Sequence, residues 1–175
     1  MIQKKEITPV RVVDNVHDKW ITEDSINQCF EKGKRHVVDK ILCGSGYTYR
    51  FLTMRPSFHE TDILIEANIG VVIDKEKEYK SGKFGFQKML FLYQGSKNRF
   101  DPSENYDKII SVVNSFNHNF TDIKRLNIRY VLTDEQHTIE QAANGNRKQV
   151  VHSFKTKLNI LEKKGAIVSS VTATP

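Results

Sequence analysis

The sequence predicts a three-layer α/β domain, a mostly parallel sheet with helices on both faces. Two observations carry that expectation. Five short apolar runs recur along the chain: Asp62–Glu66 (DILIE), Lys88–Tyr93 (KMLFLY), Lys108–Asn114 (KIISVVN), Ile128–Thr133 and Ala166–Val171. They are continuous rather than alternating, which marks strands buried on both faces. The segments between them have the length of helical crossovers, so consecutive strands can run parallel with right-handed connections.

Composition bounds the rest. A chain of 175 residues fits one ordinary domain, long enough to bury about two thirds of its unfolded surface without staples. Hydrophobic residues at 38% and charged residues at 27% describe a soluble globular protein. No apolar run approaches the length of a bilayer span, and the N-terminal Met1-Ile2-Gln3-Lys4-Lys5-Glu6 lacks a secretory apolar core. Cys29 and Cys43 offer neither metal spacing nor a disulfide framework, so a cytoplasmic location and no membrane partner are expected. The net charge of +6 leans toward polyanionic partners. The cations are scattered in small groups, however, and such groups also serve as solvated faces.

Residues 1–20 read as a strand or extended lead-in with Val10, Val12 and Val13 as candidate buried positions, and residues 21–175 as the domain proper. From Ile21 the spacing turns helical: Thr22 and Asp24 are plausible caps, Ile26 and Phe30 share a face, and Gly33 closes the segment. Val37–Cys43 is a β-branched run of strand length. It feeds into Gly44-Ser45-Gly46-Tyr47-Thr48, after which Tyr49–Met54 can be helical until Arg55-Pro56. Strand, glycine turn and helix form either a phosphate cradle, whose backbone N–H groups curl round an anion, or a plain connection.

Gly82-Lys83-Phe84-Gly85-Phe86 reads as a loop whose aromatics either stack on bases or enter the core. Thr138–Gly145 is a short helix or loop. Lys148–Lys163 reads as an amphipathic helix with Val151, Phe154, Leu158 and Leu161 on one face, ended by Gly165.

The chemistry concentrates after the fourth apolar run, in Asp134-Glu135-Gln136-His137. Two carboxylates at a strand's end are costly unless solvated or liganded. At the C-terminal edge of a parallel sheet Asp134 would sit where Mg²⁺ is held, and Glu135 where it could polarise a water. The same pair could simply open the following helix, whose macrodipole favours acidic residues.

Set in order, these segments resemble the N-terminal RecA-like motor domain of superfamily-2 helicases, the DEAD/DEAH-box group, a P-loop NTPase fold. Gly44-Ser45-Gly46-Tyr47-Thr48 resembles motif I (Walker A), and Glu66-Ala67-Asn68 is similar to motif Ia. Asp134-Glu135-Gln136-His137 is a DExH form of motif II (Walker B), and Thr172-Ala173-Thr174-Pro175 resembles motif III. The resemblance implies an ATP site in which Gly44, Ser45 and Gly46 wrap the phosphates, with Tyr47 beside them. Thr48 and Asp134 would hold Mg²⁺, Glu135 would orient water, and His137 would relay to Thr172 and Thr174. It implies DNA or RNA as partner, contacted by Asn68, Lys75, Asn114, Ser115 and the following Phe116.

Two departures qualify the resemblance. The family's motif I lysine is replaced by Tyr47, and a phenol carries no positive charge at neutral pH. Losing one preorganised charge costs about 3 kcal/mol of transition-state stabilisation, so weak or absent hydrolysis is expected. Motif III lies at the end of the chain, so a second RecA-like domain or subunit is expected to complete the site. The same features fit a non-hydrolysing module that binds nucleic acid or a protein.

Overall fold

A computed structural model describes residues 8–10, 26–27, 30, 36–39, 46–143 and 147–172. The apolar runs become strands: β1 (Thr8–Val10), β2 (His36–Asp39), β3 (Thr61–Glu66), β4 (Met89–Leu92), β5 (Lys108–Val112), β6 (Ile128–Asp134) and β7 (Ile167–Thr172). Between them lie the helices α1 (Tyr47–Thr53), α2 (Ile69–Lys80), α3 (Val113–Ile123), α4 (Gln136–Ala143) and α5 (Lys148–Lys163). Among the described residues the strands form one seven-stranded sheet in the order β1-β2-β7-β6-β3-β5-β4. Every neighbouring pair is parallel. All strand C-termini therefore share one edge.

Period-two alternation within each apolar run feeds two cores at once. Ile63, Ile65, Leu90, Ile109, Val131 and Val168 face Phe116, Phe120, Val151, Phe154, Leu158 and Leu161 from α3 and α5. Their neighbours Leu64, Phe91, Ile110, Leu132 and Val171 face Phe51, Leu52 and Val72 of α1 and α2, together with Ile26 and Phe30. This double burial explains why the strands read as unbroken hydrophobic stretches.

Several boundaries differ from the sequence reading for physical reasons. The third run ends as a strand at Val112, and Asn114 belongs to α3, because Phe116, Phe120 and Ile123 recur at helical spacing and bury together. The lead-in contributes β1, which pairs with β2. Of the expected strand Val37–Cys43, residues 37–39 lie in β2 and the remainder outside the described residues. Of the helix expected from Ile21, only Ile26, Asn27 and Phe30 are described. Helix α5 has the predicted bounds, and Gly165 adopts φ 106° just beyond it, a left-handed turn suited to glycine. Among the described residues no helix is long and apolar enough to cross a membrane.

Candidate functional site

Parallel topology brings the ends of β3, β5, β6 and β7 to one edge, and the chemistry-bearing segments gather there. Asp134 closes β6 and is buried. Gly46 precedes α1 at φ 76°, a left-handed conformation that a Cβ disfavours, and its carbonyl accepts the Arg50 N–H. That turn sets Thr48 on the first turn of α1, where its Oγ1 donates to Asp134 Oδ2 at 2.5 Å. Eighty-six residues separate the two partners in sequence. The end of the glycine segment and the strand-end carboxylate are thus in direct contact. Gly44 and Ser45 lie outside the described residues.

Tyr47 points the other way. It is 2% exposed and belongs to the apolar cluster with Ile26, Phe30, Phe51 and Leu52. Its ring fills the core beneath α1 and leaves the strand-end surface without a cation from this position.

Beyond Asp134 the backbone is strained. Glu135 adopts φ 53°, a left-handed conformation rare for a non-glycine residue. The Glu135 N–H donates to Asp134 Oδ1 at 3.0 Å, which fixes the turn from strand to helix. Glu135 Oε2 lies 3.3 Å from His137 Nδ1, and both side chains are partly exposed. Strain of this kind costs about 1–3 kcal/mol and clusters at sites where a side chain must be aimed.

Behind the carboxylates lies a polar pair that the sequence reading overlooked. Thr133 Oγ1 lies 2.7 Å from Ser170 Oγ, joining β6 to β7 in the register that sets Asp134 beside Val171. Serines inside a strand that is otherwise buried on both faces were the available signal. Thr172 ends β7, paired with Asp39 of β2. Thr174 lies outside the described residues.

The candidate nucleic-acid residues separate into two groups. Asn68, Asn114 and Ser115 line one cleft of about 390 Å³ at the strand-end edge, together with Thr138, Ile139 and Arg147. Arg147 was not singled out in the sequence, although it stands with Lys148 at the start of a helix. Asn68 also caps α2, its side chain accepting the Gly70 N–H at 2.8 Å. Lys75 does not line that cleft and pairs with buried Glu66 at 3.2 Å, so its charge is engaged within the fold. Phe116 is fully buried and serves the core.

No family model matches the chain, and no curated protein matches it in sequence. Among solved structures it is similar to Dbp5 of S. cerevisiae bound to Gle1 and IP6, with a TM-score of 0.60 and 14% identity over 87% of this chain. It is also similar to the DUF1998 helicase MrfA, with a TM-score of 0.59 and 17% identity over 91% of this chain. The chain spans 40% of the first protein's length and 27% of the second's. These likenesses, with the parallel sheet and its helices on both faces, show that the chain has a RecA-like fold.

Proposed function

We propose that this chain is the nucleotide-binding motor domain of a DExH-type helicase, with weak or absent hydrolysis by itself. The observation that carries the reading is the 2.5 Å contact between Thr48 Oγ1 and Asp134 Oδ2 at the C-terminal sheet edge. It joins a glycine-turn hydroxyl to a strand-end carboxylate, a donor set of hard oxygens that fits Mg²⁺. Thr48 and Asp134 would hold the ion. Glu135, partly exposed and one residue on, would orient and polarise a water. Bound ATP·Mg²⁺ would supply the phosphoanhydride whose hydrolysis powers nucleic-acid remodelling in a two-domain motor.

The phosphate side of the site fits less well. Tyr47 brings no positive charge and lies buried in the core, so charge developing on the phosphates would lack a lysine's stabilisation. A second RecA-like domain or subunit would have to close over the nucleotide. DNA or RNA would lie along the cleft of Asn68, Asn114, Ser115 and Arg147, whose amides and guanidinium suit phosphate and sugar contacts. The DExH character and the reduced motif I both rest on residues of this sequence.

The burial of Tyr47 favours a second reading: a non-hydrolysing module that keeps the fold and binds nucleic acid or a protein partner. Calorimetry of ATP·Mg²⁺ binding to the natural chain and to Tyr47→Lys separates the two, with hydrolysis followed in parallel with and without nucleic acid. Binding by the natural chain supports the motor reading. Binding by the variant alone marks a retired site and supports the module. If neither binds, nucleotide function is lost from the proposal.

A further inference from the structure

The opposite edge of the sheet carries a second set of features that the nucleotide reading does not use. The segments preceding β3, β5 and β6 enclose a cleft of about 430 Å³ there. Two phenylalanines line it while standing almost wholly in water, Phe58 at 88% and Phe86 at 98% exposure. Isolated exposed apolar residues are ordinary, but two whole rings on one cleft are not.

Both rings are displayed by clamped turns. The Glu60 N–H donates to the Ser57 carbonyl at 3.0 Å, and the Ser57 N–H to Glu60 Oε2 at 3.2 Å. His59 takes φ 66° within that turn and its ring lies 3.8 Å from that of Phe58. Phe86 is held by its neighbours on either side. Gly85 adopts φ 74°, and buried Gln87 donates to the Leu52 carbonyl at 2.8 Å. Arg55 Nη2 donates to the Phe86 carbonyl at 2.5 Å.

Charges of both signs line the cleft, the carboxylates of Glu60 and Asp107 and the guanidiniums of Arg55 and Arg125. Asp107 accepts the Lys88 N–H at 2.7 Å, and Glu60 is engaged by the Ser57 N–H and lies 3.9 Å from Arg129. Both lining carboxylates therefore face internal donors. Arg55, His59 and Arg125 remain exposed on the same cleft, Arg125 with only a long 3.6 Å approach to Asp122. Flat π faces in water beside guanidinium groups match the chemistry of unpaired bases joined by phosphates.

We propose that this edge binds single-stranded nucleic acid, with bases stacking on Phe58 and Phe86 and phosphates paired with Arg55 and Arg125. This contact is distinct from the cleft of Asn114 and Ser115 at the other edge and does not depend on nucleotide binding. The test uses fluorescently labelled twelve-base dT and U oligonucleotides, without ATP, and reads anisotropy against the whole chain. Phe58→Ala and Phe86→Ala should each weaken binding roughly ten-fold, and Arg125→Ala should flatten the salt dependence. Because the rings are exposed, melting temperatures should not move.

In Phe58→Trp and Phe86→Trp the affinity should persist and the new indole fluorescence should be quenched by the bound bases. Asn114→Ala serves as the opposite-edge comparison. A double Phe58→Ala, Phe86→Ala chain that binds as well as the natural one overturns the proposal, as does unquenched indole in the tryptophan variants. Either result would leave the face to a protein partner.

Discussion

Asp62→Asn is the sharpest test of what holds the sheet in register. Asp62 is 0% exposed and Lys108, its register partner on β5, is 1% exposed. Lys108 Nζ lies 2.6 Å from Asp62 Oδ2, over the Phe51 ring, while Arg129 donates to both Asp62 oxygens at 2.9 and 2.7 Å. One carboxylate thus compensates two cations. Burial pushes the Lys108 ammonium below its ordinary pKa, and the charge of Asp62 opposes that fall.

Asparagine removes the charge and keeps the shape. Breaking a buried pair from one side costs about 3–5 kcal/mol. The variant can instead discard the lysine proton. From an ordinary pKa of about 10.4 that costs about 1.4 kcal/mol per pH unit, or about 5 kcal/mol at pH 7, which caps the loss at the same size. A domain of this length would then melt about 6–20 °C lower.

The sign follows from proton counting. Between the depressed folded pKa of Lys108 and its unfolded value, the unfolded chain binds the extra proton, so stability rises with pH. Losing Asp62 widens that window downward. The deficit of Asp62→Asn should therefore shrink in urea titrations as pH rises from 7 toward the ordinary lysine range. Adding Lys108→Met should recover part of the loss, since the buried ammonium is gone while Arg129 still lacks its carboxylate partner. A deficit under about 1 kcal/mol that is flat across this range would refute the reasoning.

Three further outcomes are expected. Glu135→Gly relieves the φ 53° backbone and should raise stability by up to about 1 kcal/mol in thermal melts while abolishing any hydrolysis; a lower melting temperature would show that the backbone is not strained. Asn68→Ala removes the α2 cap and should cost about 1 kcal/mol, read by urea titration. Glu76 is disfavoured as an anion by burial, but hydrogen bonds with Lys80, Tyr93 and Asn98 outweigh this and lower its pKa. Its contribution is therefore full above the ordinary carboxylate value of about 4.3 and lost as pH falls through the folded value. Glu76→Gln should flatten that acid limb of the stability profile.

The strands were legible because burial on both faces leaves apolar residues in unbroken runs within them, and their common direction followed from the connection lengths. Helix α3 was not, because β-branched Val112 and Val113 continue the strand's composition into the helix and mask its start. Phe84 and Phe86 stand two apart, which in extended chain would put them on one face. Gly85 turns the backbone at φ 74°, so Phe84 is buried and Phe86 stands in water. Lys75 looked like a surface cation because its partner Glu66 sits nine residues back at a strand's end, a contact that only the β3–α2 packing creates. Asp134 and Thr48 could each be picked out as candidates, but their contact is a property of the fold.

Tyr47 sets stability against nucleotide affinity at one position. Its ring occupies core volume with Phe30, Phe51 and Leu52, and emptying such a site costs about 3–5 kcal/mol. A lysine there could run its stem along the same apolar wall and bring its ammonium out to the strand-end edge. It would fill less of the core. Tyr47→Lys should therefore lower the melting temperature by several degrees without ligand, at about 2–4 °C per kcal/mol. Saturating ATP·Mg²⁺ should return part of that loss, about 2.7 kcal/mol at a hundred-fold excess over Kd. Differential scanning of both chains with and without nucleotide reads the two effects together. An unchanged melting temperature in the ligand-free variant would mean that the Tyr47 ring contributes little to the core, and the opposition would vanish.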